Sequence, residues 1–158
     1  PQMVREDWVN LNGMWDYAIT AADAQDFECA DGKILVPFAV ESALSGVGRA
    51  ITGEDALWYQ REIVVPARWK GDRIMLNFGA VDWHAQVFVD GVFVGEHKGG
   101  YAPFSFDITD YLTAEENIAR VEVINNQAYR LRDRFSTYLP LPESGIRGPI
   151  VLRVKAKK

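Results

Sequence analysis

The chain has one cysteine, Cys29, in 158 residues, so no disulfide can form within it. It has two histidines, His84 and His97, and with a single thiol they lack the compact ligand spacing of a metal centre. Neither a metal nor a cofactor is therefore expected. No apolar run reaches the roughly 18 residues that a membrane-spanning helix needs. The first residues, Pro-Gln-Met, carry neither a basic start nor an apolar stretch, so no signal peptide is visible. Basic residues are outnumbered: 17 Lys and Arg against 22 Asp and Glu leave a net charge of −5. Without a basic stripe, an acidic domain is a poor binder of nucleic acid, whose affinity rests on phosphate neutralisation. Helical periodicity is scarce too. An apolar spacing of three to four residues is not sustained over any stretch long enough for a packed helix.

What is present fits one folded domain over residues 1–158. Apolar residues make up 48% and charged residues 25%, the balance of a globular protein and not of a disordered linker. A chain of this size buries about 68–70% of its unfolded surface without a staple. Strand signals are frequent. Ile63-Val64-Val65 is a β-branched run stopped by Pro66. Arg73 to Phe78 alternates, with Ile74, Leu76 and Phe78 on one face. Ala85 to Val89 and Val92 to Val94 flank Asp90-Gly91, a pair that tolerates the positive φ angles of a tight hairpin turn. Arg120 to Ile124 and Ile150 to Lys155 alternate again. Turn residues recur at close intervals, which predicts an all-β sandwich or barrel. Short helical turns are expected at Pro37 to Leu44 and at Thr113 to Asn117. Thr113 and Glu116 have the spacing of a capping box. Asn126 to Ser144 is the longest stretch without a period and reads as a long, functional loop.

Several fragments taken together carry a family likeness. They are Trp8-Val-Asn-Leu-Asn-Gly-Met-Trp15, Ile34-Leu-Val-Pro-Phe-Ala-Val-Glu-Ser42, Leu57-Trp-Tyr-Gln-Arg61 and Leu76-Asn-Phe-Gly-Ala-Val-Asp-Trp83. Val87-Phe-Val-Asp-Gly91, Val94 to Thr109 and Ser144-Gly-Ile-Arg147 complete the set. Over essentially the whole chain this resembles the N-terminal sugar-binding domain of glycoside hydrolase family 2, which includes β-galactosidases, β-glucuronidases and β-mannosidases. Ile34 to Phe38 and Gly79 to Trp83 look closest to bacterial β-galactosidase-like members. The resemblance implies a jelly-roll β-sandwich, galactose-binding domain-like, ahead of an immunoglobulin-like domain and a catalytic barrel. Carbohydrate and those neighbouring domains are the implied partners. A lone cysteine fits the cytoplasm and also an exported bacterial protein. A periplasmic or extracellular bacterial compartment is the expectation carried forward.

No catalytic residue is expected here. Glycoside hydrolysis needs two carboxyl groups flanking one bond, and in this family they stand on a barrel of about 250 residues. The family's Asn-Glu pair has no counterpart, because no Asn is directly followed by Glu. The end of the chain at Arg153-Val-Lys-Ala-Lys-Lys, near where the family's first domain hands over to its second, suggests an excised domain. An autonomous carbohydrate-binding module and a structural spacer without sugar affinity stand as the other readings.

Candidate carbohydrate-binding residues follow from the chemistry of a sugar, which offers C–H faces to aromatic rings and hydroxyls to carboxylates and amides. Asp82, Trp83 and His84 follow a strand at a loop. A strand crossing with a packed Trp is the plain alternative. Tyr101 follows Gly99-Gly100, which permit close backbone approach. In some relatives the loop before the Ser-Gly-Ile motif carries an aspartate five residues ahead of the small residue. That place holds Leu139 here, so Asp133 and Glu143 are the substitute carboxylates. Arg147 could pair with a neighbouring domain, and Arg130, Arg132 and Arg134 form either a solvated face or an interface. Glu41 is expected to cap local backbone. Trp8 and Trp15 are expected to pack. Adjacent Trp58 and Tyr59 should face opposite ways, one into the core and the other onto a loop pocket.

Overall fold

The computed structural model describes residues 7–113, 116–125 and 143–155. These form twelve strands and three short 3-10 turns, with no α-helix among the described residues. In chain order the strands are β1 (Trp8–Asn10), β2 (Gly13–Ala21), β3 (Gly32–Val36), β4 (Asp55–Val64), β5 (Arg73–Phe78) and β6 (Val81–Asp82). They continue with β7 (His84–Val89), β8 (Val92–Lys98), β9 (Phe104–Asp107), β10 (Glu116–Ile124), β11 (Gly145–Ile146) and β12 (Ile150–Lys155). A four-stranded sheet has the order β1-β12-β5-β9, and a six-stranded sheet the order β3-β2-β4-β10-β7-β8. A two-stranded pair, β11-β6, stands apart from both. The described ladders are all antiparallel, and the neighbours far apart in sequence mark the crossovers of a jelly-roll sandwich.

The period-two pattern explains the layers. Ile74, Leu76 and Phe78 of β5 and Ile150 and Leu152 of β12 point inward from one sheet. Leu57, Tyr59 and Ile63 of β4, Val121 and Val123 of β10, and Val87 and Val89 of β7 meet them from the other. Leu76 sits opposite Leu152, so a one-residue slip would turn the whole inward set to solvent. Trp15 is buried, with its indole N–H donating to the Leu11 carbonyl at 2.8 Å. Trp8 is half-buried on the edge strand β1. The hairpin forms as expected: Val89 faces Val92, and Asp90 and Gly91 take φ angles of 49° and 78°.

Two local expectations are corrected. Glu116 and Asn117 open β10 and do not continue a helical turn from Thr113. The long pairing of β10 with β4 outweighs the capping signal, and the Asn117 side chain instead accepts the Thr113 N–H at 3.0 Å. Between Pro37 and Leu44 helical geometry is confined to the 3-10 turn Ala43–Ser45, whose Leu44 N–H is accepted by the Ser42 hydroxyl at 3.2 Å.

The outer face of the six-stranded sheet carries a smaller cluster of Ala18, Ala56 and Trp58, covered by Phe27 from the segment after β2. Trp58 and Tyr59 thus face opposite ways. Both are buried, and Trp58 lines no loop pocket at the sandwich's end. Beside Trp58, directly opposite it on β10, lies Glu122, which is also buried. Burial pushes its carboxyl up to about 7 from an ordinary 4.5. The folded chain therefore holds a proton that the unfolded chain has released between those two values, and stability falls as pH rises through that window. We expect Glu122→Gln to flatten that decline. Urea unfolding across the pH range should show the parent losing on the order of 3 kcal/mol and the variant losing much less.

Candidate functional site

At one end of the sandwich, β6 and β11 pair with Asp82 opposite Gly145 and Val81 opposite Ile146. The Arg147 and Gly148 N–H groups both donate to the Ala80 carbonyl at 3.0 Å. This small ladder is tied to the core from below. The fully buried Tyr59 hydroxyl accepts the Ile146 N–H at 3.2 Å, and its surroundings push the phenol's pKa upward through loss of solvent. Gly145 adopts φ +91°, and a Cβ there would collide with the Tyr59 hydroxyl, so glycine is required on two counts. Glu41 accepts the Ser144 N–H at 3.1 Å, and Asn125 donates to the Ser144 hydroxyl at 3.1 Å.

Asp82 is only 3% exposed. Its Oδ2 lies 3.7 Å from Arg147 Nη1, an ion-pair separation too long for a hydrogen bond. Its Oδ1 has no hydrogen-bond partner. Burial raises the Asp82 pKa, the Arg147 guanidinium opposes that, and the Glu41 charge adds to it. Gly100 leaves room for the carboxyl group: a Cβ on Gly100 would stand 2.8 Å from Asp82 Cγ. Arg147 also approaches Glu143, at 3.7 Å through Nε, and its guanidinium carbon lies 5.2 Å from the centroid of the Tyr101 ring. Tyr101 is 77% exposed. Tyr101, Glu143 and Arg147 line an open cleft of about 370 Å³ together with Phe38, Ser42, Leu44 and Gly100, and Asp82 lies against Gly100 and Arg147 without lining the cleft itself.

Four of the sequence-predicted residues therefore come together: Asp82, Tyr101, Glu143 and Arg147. Arg147 pairs within the chain, with Asp82 and Glu143. Trp83, 37% exposed, sits at the crossing between β6 and β7 and is not among the residues lining this cleft. His84 belongs to the outer face of the six-stranded sheet, where Nε2 meets Glu96 Oε2 at 2.7 Å. That hydrogen bond, with Lys98 adding charge, holds the Glu96 carboxyl below its usual range. Asp133 lies outside the described residues, as do Leu139, Arg130, Arg132 and Arg134. Among the described residues no group of three or more His, Cys, Asp or Glu side chains is placed to hold a metal ion. Sequence reasoning missed the reach of Glu41, which caps backbone 103 residues away and not its own turn. No local signal carries a contact of that range.

The described residues thus form a two-sheet antiparallel sandwich with an acidic, aromatic-rimmed cleft at one end. Residues 46–139 match the family model described as "Glycosyl hydrolases family 2, sugar binding domain", and the chain belongs to that family. A β-galactosidase of Thermoanaerobacter pseudethanolicus is 47% identical over 68 residues, which cover 42% of this chain and 9% of the relative. A β-glucuronidase of Streptococcus agalactiae is 30% identical over 118 residues, covering 74% of this chain and 19% of the relative. The solved β-glucuronidase of Lactobacillus rhamnosus superposes on 96% of this chain and 29% of its own, with a TM-score of 0.74 at 23% identity, a likeness of fold. The chain thus spans less than a third of each of these relatives.

Two variants probe the assembly. Tyr59→Phe strands the buried Ile146 N–H and should cost about 1–3 kcal/mol in denaturant unfolding. Arg147→Met removes the charge opposing burial at Asp82, so the Asp82 carboxyl should titrate at higher pH, read by carbon NMR of the side chain.

Proposed function

We propose that this chain is the first, non-catalytic domain of a larger glycoside hydrolase acting on O-glycosidic bonds, and that the Asp82 cleft borders the sugar site of that enzyme. The observation that carries the reading is the cleft lined by the exposed Tyr101 ring, Glu143 and the Arg147 guanidinium, with the buried Asp82 carboxyl, one oxygen unpartnered, beside Arg147 and Gly100. A carboxyl oxygen accepts a sugar hydroxyl, and an exposed ring accepts the apolar face of a pyranose. Glu143 adds a second acceptor at the rim. Two carboxyl groups, Asp82 and Glu143, flank one guanidinium, and the Glu41 charge also acts on Asp82, a balance that suits hydroxyl groups better than an anionic substituent. On that ground a galactoside-like neutral sugar is the favoured ligand. The β-galactosidase relative supports it, and the β-glucuronidase relatives make a glucuronide the comparison to test.

Asp133 belongs to the same proposal as a further carboxylate, ahead of Glu143 in the sequence. One domain over residues 1–158, joined to an immunoglobulin-like domain and a barrel, is the architecture that goes with it. The downstream sequence should encode both, with an Asn-Glu pair in the barrel.

In the parent enzyme, Asp82→Asn should raise KM for a chromogenic galactoside about tenfold while kcat changes less, the signature of lost binding. The 158-residue chain by itself should release no chromophore. An unchanged KM would remove Asp82 from the sugar site, and hydrolysis by the chain alone would overturn the non-catalytic assignment. Calorimetric titration of the chain with galactose and glucuronate separates an autonomous module, which binds, from a spacer, which gives no heat.

A further inference from the structure

A second cleft, of about 390 Å³, opens on the outer face of the six-stranded sheet, away from the β6–β11 ladder. Its floor comes from β7 and β10, with Gln86 directly opposite Glu122. Phe88 of β7 pairs with Phe93 of β8, their ring centroids 5.5 Å apart and nearly edge to face. Ala22, Ala24 and Gln25, from the segment after β2, form the opposite wall. The register shift between Val87 and Phe88 falls at this place, and a bulge is a common means of re-aiming a side chain. Phe93 is 48% exposed.

The polar groups around this cleft divide into two sets. Arg120 is engaged, with Nε on Gln60 at 2.6 Å, Nη1 on Asp26 at 2.6 Å and its guanidinium over the Phe27 ring. His84 and Glu96 satisfy each other. Glu122 and Gln86 are left over. Glu122 is 6% exposed, and neither side chain makes a hydrogen bond or ion pair among the described residues. An apolar occupant would seal both groups away from water without partners, at about 1–3 kcal/mol for each unsatisfied group. A hydroxyl-bearing occupant donates to the carboxyl, exchanges hydrogen bonds with the amide and rests its C–H surface on the phenyl rings.

We propose that this outer-face cleft is a second saccharide site, taking a neutral oligosaccharide across Phe88 and Phe93 with Gln25, Gln86 and Glu122 bonding its hydroxyls. It is independent of the Asp82 cleft in residues and in position, so each can fail without the other. The carboxyl of Glu122 takes up its proton near neutral pH, which lets it meet a hydroxyl group as donor or as acceptor.

The test is an amide NMR titration of the 158-residue chain with neutral tetrasaccharides of β-linked glucose, xylose, mannose and galactose. At least one should give saturable shifts in the low-millimolar range, centred on Gln86, Phe88, Phe93 and Glu122. Phe93→Ala, at an exposed position that should tolerate it, should weaken that binding about tenfold, equivalent to about 1.4 kcal/mol. Gln86→Ala should weaken it as well, and Asp82→Asn should leave it unchanged. Shifts confined to Asp82, Gly100, Tyr101 and Arg147 would overturn the second site while supporting the first. Absence of shifts with every tetrasaccharide, or equal binding by Phe93→Ala, would overturn it outright and leave a neighbouring protein domain as the occupant of this face.

Discussion

The hydrogen bond from the Ile146 N–H to the Tyr59 hydroxyl, closed off from solvent inside the sandwich, is the contact on which the candidate site hangs. A two-residue strand such as β11 gains little from its own ladder. It is held because a buried phenol needs a partner and a buried amide needs an acceptor, and each leaves the other no cheaper choice. Gly145 fits beneath because it lacks a side chain. With β11 set, the backbone places Arg147 beside Asp82 across the β6–β11 pair, and the Ser144 amide meets the Glu41 carboxylate. The cleft is thus a consequence of core packing carried outward through the Tyr59 hydroxyl and the side chains that hold Ser144.

Much of the layered fold was legible in the sequence because its cause is local. Alternation from Arg73 to Phe78 and from Ile150 to Lys155 places side chains by period alone, and Asp90-Gly91 selects its turn by backbone freedom. Thr113 and Glu116 misled for the opposite reason. A capping signal speaks for one turn of chain, whereas residues 116–124 answer to nine cross-strand partners on β4. At the site, residue types pointed correctly to Asp82, Tyr101, Glu143 and Arg147, since carboxylate, aromatic and guanidinium chemistry is visible without coordinates. His84 stands only two residues from Asp82, yet β6 ends at Asp82 and a different strand, β7, begins at His84, whose side chain meets Glu96 on the outer face of the six-stranded sheet. Glu41 and Glu122 could not be read in advance, because what distinguishes them is a distant partner in one case and burial without a partner in the other.

The electrostatics of the two carboxyl groups differ in kind. Asp82 sits between opposing influences: loss of solvent and the Glu41 charge favour its neutral form, and Arg147 favours the anion. Its protonation therefore depends on how closely Arg147 stays, and Arg147 is drawn toward Glu143 and the Tyr101 ring as well. Glu122 has no opposing charge, and burial alone sets its behaviour. Any ligand or domain that further dries the Asp82 cleft strengthens the Arg147 attraction along with the desolvation. Drying the Glu122 cleft without supplying a hydrogen bond can only raise the cost of charge there.

This difference bears on how one sandwich can serve two surfaces. The end cleft is made from turns and a short ladder, each anchored to the core by single buried bonds, so its geometry is as good as those anchors. The outer-face cleft is floored by the central strands β10 and β7, whose opposite sides carry Val121, Val123, Ala85 and Val87 of the core. Its Gln86–Glu122 spacing is the spacing of the ladder itself, and distorting it would mean breaking main-chain pairing on both sides. A rigid sheet face suits an extended ligand that must match a fixed row of groups. A cleft built of loops at the sandwich's end suits a site that is completed by whatever packs beside it.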